Sequence, residues 1–101
     1  GGSDVRGDRV NAARGEVSVV LAGEARVLCL TLGALAEIEA GLGVAGIGEL
    51  AERMRALSAG DLAVVLAALL RGGGEDGAVA DRAGPREAAE AVARAFAAAV
   101  E

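Results

Sequence analysis

The chain has no histidine, no lysine, no tryptophan and no tyrosine, and it holds one residue each of cysteine, proline, methionine and phenylalanine among 101. Each shortage closes off some chemistry. Without histidine, the commonest general base and metal ligand is missing. The lone Cys29 can form neither an internal disulfide nor a cysteine-based metal site. All ten basic residues are arginine, set against fifteen acidic ones for a net charge of -5, so no basic cluster exists to neutralise a run of phosphates. Nucleic acid is therefore not an expected partner, and neither a cofactor nor a small-molecule substrate is expected. The longest apolar run, Leu62 to Leu70, is about half of the roughly 18 residues a membrane span needs. No basic-then-apolar leader opens the sequence, so the expectation is a cytoplasmic protein without membrane contact.

What the chain has in quantity is alanine. Apolar residues make up 53% of it, but 25 of them are alanines and only 29 are larger. A chain of this length builds one small domain with a thin core. Its folding is near balance, so burial against a second copy or another partner would help it.

Gly1 to Val10 alternates charged residues with glycine and shows no apolar period, which predicts a mobile tail ahead of a domain spanning 11–101. Two runs rich in Val and Leu then flank Ala22, Gly23, Glu24 and Ala25. A type II′ hairpin with Gly23 and Glu24 as its loop would pair Val19 with Leu28 and Val17 with Leu30. One face then carries Val17, Val19, Leu21, Leu28 and Leu30. Thr31 can cap a helix with Leu32, Leu35, Ile38 and Leu42 at helical spacing, ended by Gly41 and Gly43. A second helix is predicted from Ile47 to Leu57 with Leu50, Met54 and Leu57 inward and an exposed Glu49–Arg53 pair. Ser58 and Asp61 have capping-box spacing, and Leu57 and Leu62 sit where a hydrophobic staple would hold the start of a third helix. That helix runs to about Arg71, is apolar nearly all round, and is stopped by Gly72, Gly73 and Gly74. A loop to Gly84 follows, then Pro85 opens a last helix with Ala89, Val92, Phe96 and Val100 on one face. The expected fold class is α+β: an N-terminal hairpin packed on about four helices that contribute Leu35, Ile38, Leu62, Leu66 and Leu69.

Several short patterns carry no chemistry in this context. Gly41, Gly43 and Gly46 match G-x-G-x-x-G, with Asp61 about twenty residues on, but they follow a helix where a dinucleotide site needs a strand. They read as helix punctuation. Arg6, Gly7 and Asp8 spell an adhesion tripeptide of the kind that arises freely in Arg- and Gly-rich chains. Cys29 lies in an apolar strand and reads as a small hydrophobe. Glu37 and Glu39 are two apart on a helix, point away from each other, and form a solvated acidic edge.

Taken together, several segments resemble the tail assembly chaperone family of gene transfer agents, which are phage-like particles; the same family is also described as a tail tube protein. The resemblance covers about Asn11 to Arg71, with a looser match to the end of the chain. It rests on Asn11-Ala12-Ala13-Arg14-Gly15-Glu16, on Gly23, on Leu30 through Glu39, and on Leu69 through Gly74. It implies no catalytic or metal site. It does imply a cytoplasmic helper that holds the long helical tape measure protein, and tube subunits with it, until the tail tube polymerises. The alternative it leaves open is a structural tube subunit that stays in the particle, and a DNA-binding helical regulator and an enzyme rank below both. Because the third and last helices carry more apolar surface than one core face needs, Val64, Ala91, Ala95 and Ala98 are the expected partner-binding positions.

Overall fold

The structure, a computed structural model, describes residues 15–100. The tail and the adhesion-like tripeptide anticipated in the first ten residues lie outside that range. Strands β1 (Glu16–Leu21) and β2 (Glu24–Cys29) form a two-stranded antiparallel sheet. Four α-helices follow: α1 (Leu32–Leu42), α2 (Gly46–Met54), α3 (Ala59–Gly72) and α4 (Pro85–Ala99), with a 3-10 helix, Gly77–Arg82, between the last two. This is the expected α+β hairpin on helices.

The hairpin register differs from the expected one by two residues. Val19 pairs with Arg26, and Val17 with Leu28, so the loop is Ala22–Gly23 and not Gly23–Glu24. Both loop residues have positive φ, 52° at Ala22 and 86° at Gly23. That is the signature of a type I′ turn, whose twist suits the strands and here draws an alanine into the left-handed region. A shift of two keeps every side chain on its face, so Val19, Leu21 and Leu28 are buried as expected, with Val17 and Leu30 half-buried beside them.

The caps hold. The Thr31 side chain accepts from the Ala34 N–H, and Gly43 closes α1 in the left-handed region at φ 70°. The Ser58 side chain accepts from the Asp61 N–H at 3.0 Å to start α3. α3 is the central helix, packed on α1, β2, the 3-10 helix and α4, with Val65, Leu66, Ala68, Leu69 and Leu70 buried. That placement accounts for its apolar character all round. At its end Gly72 and Gly73 lie against the backbone of β2, where a Cβ on either would meet the carbonyls of Cys29 and Val27. Beyond them, Glu75 Oε2 accepts from the Val27 N–H at 3.0 Å and Glu75 Oε1 pairs with Arg26 at 3.3 Å.

Four expectations are corrected. The segment expected as loop between α3 and α4 contains the 3-10 helix, capped by the Asp76 side chain on the Ala78 N–H, and it buries Val79 and Ala80. The inward face of α4 is Ala88, Ala91, Val92 and Ala95, with Ala89 exposed and Val100 83% exposed. It is rotated from the expected face because alanine packs closely on the hairpin where larger side chains would hold α4 away. Leu32, at the first turn of α1, is 83% exposed, while Ala34 takes the buried place. Glu37 is not a free edge: its Oε1 accepts from Arg71 Nε at 3.0 Å.

Candidate interaction groove

α2 is the helix least committed to the core. Its apolar residues Ile47, Leu50, Ala51 and Met54 recur at helical spacing, yet only Leu50 is buried and Ile47 is 71% exposed. Polar contacts at its ends fix it. At the start, Glu49 Oε1 accepts from the Ala45 N–H at 2.9 Å and Glu39 Oε2 from the Gly46 N–H at 3.1 Å. At the other end Arg53 reaches two elements at once, donating to the Leu42 carbonyl at 2.9 Å and to Asp61 Oδ2 at 3.0 Å. The expected Glu49–Arg53 pair is thus replaced, because each side chain finds a backbone group or a carboxylate that fixes a helix end. The Arg53 hydrogen bond is the main reason the Asp61 carboxyl is held below its ordinary value; Coulombic attraction to Arg53 and hydrogen bonds with Ser58 assist, against a smaller opposing effect of desolvation.

Held this way, α2 stands beside α4 and leaves an apolar groove between them. Ile47, Leu50, Ala51, Met54 and Phe96 line one part, of about 310 Å³. Met54, Leu57, Leu62, Ala89, Val92 and Ala93 line a second part, of about 260 Å³. Met54 joins the two, and the chain's only methionine and only phenylalanine both face this groove. No ionisable side chain lines either part. Such a trough suits apolar side chains spaced along a helix, and a methionine adapts its shape to them.

The residues expected to bind a partner lie elsewhere. Ala91 and Ala95 are 2% and 0% exposed on the face of α4 turned inward, and Ala91 shows only an edge to the depression beside β1. Ala98 is half-buried. Val64 is half-buried on α3, at Gly41 of α1, in a depression with Ala63, Ala67, Arg71, Gly77, Ala78 and Asp81. Ala91 and Ala95 share one face and Val64 lies apart from them, so the four do not form a common surface. The groove residues that sequence reasoning passed over carried a signal: Ile47, Leu50, Ala51 and Met54 make an apolar stripe on a helix with little else to cover it. Cys29 is half-buried, with desolvation first and Glu16 second pushing its thiol above the ordinary value. That keeps it protonated at neutral pH.

Among the described residues no group of three or more His, Cys, Asp or Glu side chains is placed to hold a metal ion. No described helix is long and apolar enough to cross a membrane. The fold and groove define a small α+β domain whose most distinctive surface is hydrocarbon and not a constellation of reactive groups. Residues 14–101 match the family described as phage tail tube protein, GTA-gp10. The match spans most of the chain, and the chain belongs to that family. It is a phage-like tail protein of the gene transfer agent type. Neither the curated proteins nor the solved structures yield a match.

Proposed function

We propose that this chain is a non-enzymatic assembly chaperone of a phage-like tail, holding the helical tape measure protein, and tail tube subunits with it, until the tube forms. The observation that carries this reading is the α2–α4 groove, an uncharged apolar trough of the kind that receives one face of an amphipathic helix. The sheet supports it: the described residues supply two strands, where a ring of β-sandwiches would draw on roughly seven per subunit. In this role the protein acts in the host cytoplasm and leaves before the particle is complete.

A second reading, a structural subunit of the tail tube itself, is favoured by the family's own description. It would place the chain in the finished particle. Mass spectrometry of purified particles separates the two, since a tube subunit is present in many copies and a departed chaperone is missing. The chaperone reading further expects a soluble complex on co-expression with the tape measure protein of the same gene cluster. Ile47→Arg or Ala93→Arg should abolish that complex with the helical spectrum intact, because both positions are exposed and a charge is costly only once the groove is covered. If the tape measure protein is no more soluble with this chain than without it, the chaperone reading fails.

A further inference from the structure

A two-stranded sheet has two outer edges, and each presents unpaired backbone groups. Leu21 and Glu24 flank the two-residue turn, so Leu21, Val19 and Val17 direct their backbone groups at β2, while Ser18 and Val20 direct theirs outward. The outer edge of β2 is closed by Glu75 on the Val27 N–H and by the glycines of α3 over the Val27 and Cys29 carbonyls. The outer edge of β1 is closed only at the turn, where the Ala22 N–H donates to Glu87 Oε1 at 3.1 Å. The N–H groups of Ser18 and Val20 have no partner among the described residues, and Val20 is 64% exposed. The middle of the strand, Val17 to Val20, includes neither a charge nor a proline, and the one charged side chain on β1 is Glu16 at its start.

Beside this edge runs α4, antiparallel to β1, with Glu87 at Ala22 and Ala99 close to Gly15. Between the two lies a depression of about 280 Å³ lined by Val19, Val20, Glu87, Glu90, Ala91 and Arg94. Glu90 and Arg94 belong to none of the four ion pairs among the described residues. We propose that the occupant of this edge is a second copy of the chain, paired β1 to β1 in antiparallel fashion about a two-fold axis at Val19. Ser18 of each copy then lies opposite Val20 of the other, and the N–H groups of these two residues in both copies find carbonyls in one continuous four-stranded sheet. On the covered face Val19 meets Val19 and Val17 meets Leu21, extending the apolar row. The same axis passes between Glu90 and Arg94, so Glu90 of each copy faces Arg94 of the other. A surface that complements itself in both backbone register and charge is what a two-fold dimer requires, and a foreign strand would have no use for the charge match.

Sedimentation of the full chain should show a species of twice the 9.9 kDa monomer mass in concentration-dependent exchange. Ser18→Pro removes an N–H that takes no part in the β1–β2 ladder, so the circular dichroism should hold while dimer affinity falls at least about tenfold. Arg94→Glu should weaken the dimer by roughly tenfold, and the double swap Glu90→Arg with Arg94→Glu should restore dimer affinity, because reversing both signs rebuilds the cross-copy pair, whereas a pair made within one helix would leave dimer affinity unmoved by either variant. These charge variants lie on the surface and keep the test open if the proline variant fails to fold. A chain that stays monomeric up to about 1 mM, or a dimer indifferent to both the proline and the charge variants, overturns the proposal.

Discussion

Gly73 is the most informative single position in the fold. Its backbone has φ -89° and ψ 4°, a conformation open to any residue, so nothing local calls for glycine. The neighbours do. A Cβ there would fall inside contact distance of the Val27 carbonyl oxygen, 2.6 Å from its carbonyl carbon and 3.1 Å from the Leu28 nitrogen. These are strand backbone atoms held in the ladder, and they cannot swing aside as a side chain would. Without the clash, Gly73→Ala would stabilise by about 0.4–1 kcal/mol by restricting the unfolded chain. Forcing the end of α3 away from β2 costs about 1–3 kcal/mol. It also draws Glu75 from the Val27 N–H, a hydrogen bond to a charged group worth about 1.5–3 kcal/mol when fully lost. The net expectation is a loss of about 2 kcal/mol, or roughly 8–16 °C in Tm for a chain of this size. Gly60→Ala in the first turn of the same helix is the control, since its Cβ would meet nothing nearer than Ser58 Oγ at 3.9 Å. It should gain about 0.5–1 kcal/mol. Urea titrations followed by circular dichroism measure both. A Gly73→Ala protein that unfolds at or above the wild-type urea midpoint would refute the close helix–strand contact.

Leu66, fully buried in α3, should cost about 2–5 kcal/mol when cut to alanine, a large share of the stability of so small a domain. A loss below about 0.5 kcal/mol would place it on the surface. Asp61 and Glu87 are both held below their ordinary values of 3.8 and 4.5, Asp61 chiefly by the Arg53 hydrogen bond and Glu87 by the N–H groups of Gly84 and then Ala22. A carboxyl whose folded value is depressed adds stability above its unfolded value and loses it as pH falls through the folded one. Melting temperature should therefore be level near neutrality and fall below about pH 4. Asp61→Asn and Glu87→Gln should each shallow that acid decline; an unchanged acid limb in both would contradict the assignment.

Most of the fold was legible where one residue type has one job. Thr31 and Ser58 mark helix starts through hydrogen bonds that a capping hydroxyl provides, and Gly74, at φ 84°, takes the left-handed position just past the end of α3. The alternation in β1 and β2 set the buried face even though the turn was placed one residue late, because a register change of two does not move a side chain across the sheet. What escaped the sequence depends on packing. Ala88, Ala91 and Ala95 outrank Phe96 and Val100 as core residues of α4 because of how closely the helix lies on the hairpin, and hydropathy alone ranks them the other way. For the same reason the partner surface was sought on alanines that turn out to be interior. The groove was not read from the sequence because Met54 looked like an ordinary inward residue and Ile47 only marked the start of its helix. Only the placement of α2, pinned at Arg53 and otherwise lightly packed, leaves them uncovered.

The alanines of α4 also give the protein an asymmetric mutational landscape. Ala88, Ala91 and Ala95 are at most 5% exposed and have only a methyl group to lose, so trimming them to glycine is limited to about 1 kcal/mol of helix propensity and about 1 kcal/mol for the buried methyl each. Every other substitution enlarges them, and each enlargement presses α4 away from the elements it is seated on, α3 and β1. Drift at these positions is therefore nearly closed in one direction and shallow in the other. On the outward side of the same helix, where Ala89, Ala93 and Ala97 are exposed, folding restrains neither direction. Selection acting on such a helix can remodel what it presents while its seat on the hairpin stays fixed. The sequence of that outer face can thus vary while the core beneath it stays the same.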